Sequence, residues 1–218
     1  MNYFYNIHRH NADLLSNEIA VVNNYPKDPI PQTGFFSCGI HPWYIEEQSL
    51  TSDLQAIELA LKNPSCVALG ECGLDNRVET ELAKQQPIFE AQLELAKQYQ
   101  MPVIVHCVGA YAEVLSAKKR LQFKQALVFH GFSKNLALAQ QLQNADCYVS
   151  FGKYLMTQEH LPAILKELNL QRIFLETDSS DYLISEVYAK AATALQLELI
   201  ALQELIQNNF QTVFKQEK

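Results

Sequence analysis

His8 and His10 stand two residues apart near the start of the chain, and Glu71, His106, His130 and Asp178 follow in order, each closing a short apolar run. Imidazole nitrogens and carboxylate oxygens are the donors that hold Zn²⁺, Mn²⁺ and similar ions. Gathered from successive strand ends, such a set would make a metal site that polarises an ester and activates water. In an extended segment, positions two apart share a face, so His8 and His10 can grip one ion. An isolated H-x-H pair also arises by chance; the weight comes from the other four groups. Glu71 ends the run 67–71, and a carboxylate there can bridge two ions held about 3.5–4 Å apart. An acid abutting a buried strand costs free energy unless it is paired or metal-bound.

His106 follows Val103-Ile104-Val105 and His130 follows Leu127-Val128-Phe129, so both occupy the same point of their strands. Asp178 suits a ligand and proton acceptor. Glu176, two residues earlier on the same face, either orients a histidine or forms a buried ion pair. His41, ahead of Pro42, is either a donor to substrate oxygens or a plain loop histidine. His160 falls in the helical stretch 157–168 and is assigned to the surface. Alternation along the strands turns Cys72 and Cys107 away from Glu71 and His106, toward packing and away from nucleophilic catalysis.

The elements that must position these groups are legible as alternating types. Segments 2–8, 33–41, 65–71, 101–107, 125–130, 147–152 and 172–178 read as strands, separated by amphipathic helical stretches. In 81–99, Phe89, Leu93 and Ala96 share a helical face, while Ser52-x-x-Gln55 has the pattern of a capping box and Asn63-Pro64 that of a stop. Alternating strands and helices predict a parallel sheet. Seven strands, with the chemistry at their C-terminal ends, predict a distorted TIM-type (β/α) barrel. Beyond Asp178 the chain turns helical, so the eighth strand is expected to be short, irregular or absent. The polar stretch 23–34 reads as a loop bordering the site.

With 218 residues and 48% hydrophobic content, one substantial core is expected, and residues 1–218 read as a single metal-dependent hydrolase domain. No segment has the length of a membrane span, and the start lacks the layout of a signal peptide, which predicts a cytoplasmic protein without a membrane partner. Five cysteines without a C-x-x-C pair predict reduced thiols. A net charge of −7 opposes polyphosphate over the whole surface and confines nucleic-acid contact to a local site.

These positions, in this order, resemble the TatD family of metal-dependent deoxyribonucleases. His8-Arg9-His10 is similar to its H-x-H, Gly39-Ile40-His41-Pro42 to its G-x-H-P, and Leu69-Gly70-Glu71-Cys72-Gly73-Leu74-Asp75 to its I-G-E-x-G-L-D. Gln85 through Ala96 into Pro102-Val103-Ile104-Val105-His106-Cys107 resembles the helix and strand that lead to a metal histidine. His130-Gly131-Phe132-Ser133, Leu175-Glu176-Thr177-Asp178 and Asn209 to Phe214 resemble the remaining motifs. The resemblance implies that His8, His10, Glu71 and Asp178 hold one divalent ion, and Glu71, His106 and His130 a second; Zn, Mn and Mg all suit the donors. It further implies hydrolysis of phosphodiesters, at DNA ends or in small nucleotide esters, by a metal-bound hydroxide, with Glu71, Asp178 and His41 as the catalytic group.

The chain also departs from the family. Asn6 stands where an acid precedes the first histidine, Asn11-Ala12 where Leu-Asp follows the second, and Val108 where an arginine follows the His-Cys pair. Val108 removes a charge-assisted contact to phosphate, and Arg77, after Asp75-Asn76, is a candidate replacement. Asp178-Ser179-Ser180-Asp181-Tyr182-Leu183 replaces Asp-Ala-Pro-Tyr-Leu. Two further readings follow: hydrolysis of a non-nucleic amide, ester or lactone, and a non-catalytic metal-binding barrel.

Overall fold

The computed structural model describes residues 3–10 and 15–214. Asn11 and Ala12 lie outside the described residues. The strands are β1 (Phe4–Arg9), β2 (Glu18–Asn24), β3 (Phe35–Cys38), β4 (Cys66–Asp75), β5 (Val103–Val108), β6 (Leu127–Phe129), β7 (Cys147–Phe151) and β8 (Ile173–Leu175). The helices are α1 (Leu50–Leu61), α2 (Leu82–Gln98), α3 (Tyr111–Arg120), α4 (Leu136–Asn144), α5 (Lys153–Thr157), α6 (Leu161–Lys166), α7 (Ile184–Leu195) and α8 (Leu199–Phe214). The strands follow in chain order, β1 to β8. At the end of β8, Asp178 N donates to His8 O at 3.0 Å and His10 N donates to Asp178 O at 3.3 Å. The fold is a TIM-type (β/α) barrel. Among the described residues, no helix is long and apolar enough to cross a membrane.

Three expectations are corrected. An eighth strand exists, and it is β2 rather than a segment after Asp178: it begins with Glu18 and ends with Asn23-Asn24, and these three polar residues are buried. Polar residues at both ends break the apolar pattern that marks a strand in sequence, and the loop expected from residue 23 starts only after Asn24. The third correction concerns α1, which starts at Leu50, before the expected Ser52–Gln55 box; Ser49 Oγ donates to Asp53 Oδ2 at 2.7 Å instead.

Contacts divide the chain into two compact units, Met1–Val22 with Val128–Lys218, and Asn23–Leu127. In the first, β1 runs parallel to β2 with Phe4 opposite Glu18 and Asn6 opposite Ala20, and β7 parallel to β8 with Phe151 opposite Leu175. Helices α7 and α8 close over them. The buried Tyr188 hydroxyl donates to Tyr5 O and accepts from Tyr5 N, both at 3.0 Å, so a helix side chain completes the backbone pairing of β1. Asn209 Nδ2 likewise donates to the carbonyls of Leu170 and Ile173, at 2.8 and 3.0 Å. Asn6, fully buried, donates to Glu18 Oε1 and Thr177 Oγ1 and accepts from Thr177 N. This accounts for the departure at position 6. An acid there would face the Glu18 carboxylate across 2.9 Å, whereas an amide donates to it.

The second unit is built on β3, β4 and β5. The ten residues of β4 are all buried, and it pairs parallel to both neighbours, with Phe36 opposite Cys66 and Gly73 opposite His106. Helix α2 buries Ile88, Phe89, Leu93 and Ala96 together with two glutamines. Gln85 Oε1 accepts from Asp75 N and its Nε2 donates to Asp75 O, both at 2.8 Å. Gln92 does the same for Ile40, at 2.7 and 3.3 Å. Each amide clamps backbone next to a candidate functional residue.

Candidate functional site

In the Asn23–Leu127 unit, Glu71, His41 and His106 come together. Glu71 is 3% exposed on β4, with its backbone N–H donating to Asn23 Oδ1 at 2.7 Å. His106 Nδ1 lies 2.8 Å from Glu71 Oε1, and its Nε2 lies 3.1 Å from Asp75 Oδ2. His41 Nε2 stands 3.2 Å from Glu71 Oε1. The backbone N–H of Trp43 donates to His41 Nδ1 at 3.1 Å, which leaves the ring proton on Nε2. His41 is therefore a donor held toward Glu71, not a plain loop histidine. Gly73 permits this arrangement: with φ +151°, a Cβ there would run into the backbone of His106.

Asp75 completes the set, and the sequence reading left it unassigned. It sits four residues after Glu71, an even spacing that on an extended strand keeps both on one face. It accepts from Trp43 Nε1 and from Arg77 N, each at 2.8 Å. Burial pushes its carboxyl up, but the hydrogen bonds from Trp43, Arg77 and His106 outweigh this and hold it below the usual range. Arg77 itself is exposed.

In the other unit, His8, His10, His130 and Asp178 come together. His8 is fully buried, and its ring centroid lies 5.0 Å from that of His10 and 4.4 Å from that of His130. Asp178 Oδ1 is 3.8 Å from His8 Nε2 and 3.4 Å from His10 Nε2, while Oδ2 accepts from Lys153 Nζ at 2.9 Å. Burial raises the Asp178 carboxyl, yet the hydrogen bond from His10, the charges of His130 and His8, and Lys153 hold it far below the ordinary range. Glu176 is fully buried, accepts from Gly131 N at 2.7 Å and lies 3.5 Å from His130 Nδ1. Gly152 is needed for its fit, since a Cβ would stand 2.9 Å from Glu176 Cγ. Sequence reasoning missed Lys153, although a cation two residues past the end of the apolar strand β7 was a usable signal.

His160 is exposed just before α6. Cys72 is fully buried, which pushes its thiol well above the ordinary value, and Cys38 is pushed up to about 12 by burial; neither suits a nucleophile.

The donor chemistry fits divalent ions. Ligand atoms on one tetrahedral ion at ordinary bond lengths stand about 3.4 Å apart. The donor atoms of His8, His10 and Asp178 lie within 4.8 Å of one another, as do those of His41, Glu71 and His106.

The family model for TatD related DNases matches residues 17–215. The chain belongs to this family. A metal-dependent hydrolase of Haemophilus influenzae, described as uncharacterized, is 34% identical over 161 residues, 69% of this chain and 61% of that protein. The 3'-5' ssDNA/RNA exonuclease TatD of Citrobacter koseri is 30% identical over 163 residues, 72% and 62% of the two chains. This chain thus spans about three fifths of the length of the curated relatives it matches. Among solved structures, the TatD homologue YjjV of Escherichia coli shares the fold with a TM-score of 0.72 at 23% identity, covering 83% of this chain and 76% of that one. An amidohydrolase of Saccharomyces cerevisiae, also described as uncharacterized, gives 0.82 at 14% identity, over 98% and 100%.

Proposed function

We propose that this TatD-family chain works as one metal-dependent hydrolase domain in the cytoplasm, using two divalent ions to cleave phosphodiesters at nucleic-acid ends or in small nucleotide esters. The observation that carries this reading is that each unit brings imidazoles and a carboxylate from strand ends to within 4.8 Å of one another. The ligand order of the family assigns His8, His10, Glu71 and Asp178 to one ion and Glu71, His106 and His130 to the other. Zn²⁺, Mn²⁺ or Mg²⁺, when bound, would polarise the phosphoryl group and lower the pKa of water.

The chain's own groups supply the rest. Asp178 stays ionised, with Lys153 holding Oδ2 and leaving Oδ1 turned to His8 and His10; as a carboxylate it can take a proton from the attacking water. His41 carries its proton on Nε2, set by Trp43 and held toward Glu71; with Glu71 taken up as a ligand, that N–H would be free to meet a phosphoryl oxygen. Asp75 and Glu176 orient His106 and His130.

The test is hydrolysis of single-stranded DNA and dinucleotides, set beside panels of esters, amides and lactones, after reconstitution with each metal. Metal-dependent release of nucleotides from DNA or dinucleotides is expected. Cleavage confined to carboxylic esters, amides or lactones would move the chain to a non-nucleic substrate. Fewer than one bound ion, with His10→Ala changing nothing, would make it a non-enzyme.

A further inference from the structure

A net charge of −7 and Val108 at the end of β5 give a phosphodiester little electrostatic hold, so contacts to the rest of the substrate carry more of the binding. Immediately after His41, a short 3-10 turn, Pro42–Tyr44, carries two aromatic side chains into solvent: Trp43 is 58% and Tyr44 55% exposed. Isolated exposed aromatics are ordinary, but these two are adjacent and fixed. The Trp43 indole N–H is anchored on the buried Asp75 carboxylate at 2.8 Å. The Tyr44 ring rests edge-on against Tyr25, centroids 5.3 Å apart, and its backbone N–H donates to His41 O at 3.0 Å. Both rings flank the His41 imidazole, at 5.1 and 5.6 Å, and Trp43 lies 6.0 Å from the His106 ring.

An aromatic ring held by its polar edge while its surface stays in water has little entropy left to lose when a flat ligand lands on it. Stacking also needs no positive charge, so it suits a chain with a net charge of −7. We propose that Trp43 and Tyr44 form a stacking subsite for a nucleobase of the substrate. The inference rests on the phosphodiester reading above and extends it. Because every base offers a π face, the subsite tolerates all bases and contributes roughly a 10- to 100-fold gain in affinity.

Trp43 is the chain's single tryptophan, so its fluorescence reports on this corner of the site, and a base-free phosphate separates stacking from phosphate binding. Titration of the metal-loaded protein with dAMP is expected to quench it saturably, while deoxyribose 5-phosphate at the same concentrations does not. Tyr44→Ala should weaken dAMP binding about 10-fold. In Tyr44→Leu, KM for a dinucleotide should rise about 10-fold, and KM for an oligonucleotide ending in an abasic nucleotide should stay put. Equal quenching by deoxyribose 5-phosphate, quenching by phenyl phosphate as strong as by dAMP, or no quenching in a protein that still cleaves dinucleotides would each overturn the subsite. Quenching by dAMP in a protein that cleaves no phosphodiester would instead overturn the function and leave the subsite standing.

Discussion

The two ligand clusters are built from the same residue types yet held in opposite ways. Around Glu71 every imidazole is locked: His106 lies between two carboxylates at 2.8 and 3.1 Å, and His41 between a backbone N–H and Glu71 at 3.1 and 3.2 Å. Around Asp178 the imidazoles stand off at 3.4 and 3.8 Å, and the short bond goes to Lys153, at 2.9 Å. One cluster is pre-organised by hydrogen bonds of its own. The other keeps its imidazoles at longer range from the carboxylate, whose second oxygen is held by a lysine. The difference implies that removing a supporting residue disturbs orientation in the first cluster and charge in the second.

Glu71→Ala should have the largest effect. It removes the acceptor shared by His41 and His106 and, on the proposed reading, a ligand of both ions; a drop in kcat of at least about 10³-fold and loss of bound metal by elemental analysis are expected. Asp178→Asn keeps the shape but removes the ligand charge and the proton acceptor, so kcat should fall by about 10²- to 10⁴-fold. Retention of activity within about 10-fold in either variant would break the proposed assignment.

The supporting residues sharpen the contrast. Asp75→Asn should lower metal affinity or kcat by about 10- to 100-fold, by letting the His106 ring turn. Lys153→Met should act through charge, with Lys153→Arg restoring most of the activity and Asp75→Glu restoring little. Equal rescue by both conservative variants would mean that the two clusters are supported alike. The smallest effect is structural: Tyr188→Phe removes both hydrogen bonds to the Tyr5 backbone, should cost about 1–3 kcal/mol in chemical denaturation, and should leave metal affinity unchanged.

Much of the fold was readable because seven of the eight strands are largely apolar runs, six of them leading into a chemically distinctive residue. β2 escaped because it spends Glu18, Asn23 and Asn24 on holding other groups: Glu18 takes hydrogen bonds from Asn6 and Arg9, and Asn23 accepts the backbone N–H of Glu71. A buried polar residue with a partner far along the chain looks like a loop residue until that partner is seen. The start of α1 escaped for a similar reason, since the Ser49–Asp53 bond competes with a capping box of equal local plausibility three residues later.

The sequence by itself determined which side chains could bind metal, their order, and the alternation of strands and helices that puts them at strand ends, because these follow from residue type and short-range periodicity. Tertiary structure alone decided how each is held: that Asp75 backs His106, that Lys153 claims one oxygen of Asp178, that Trp43 sets the proton on His41, and that an amide replaces an acid at position 6 because Glu18 lies beside it. These are contacts of a few ångströms between residues that, apart from the local Trp43–His41 pair, lie 12 to 31 positions apart, and no local pattern encodes a distance of that kind.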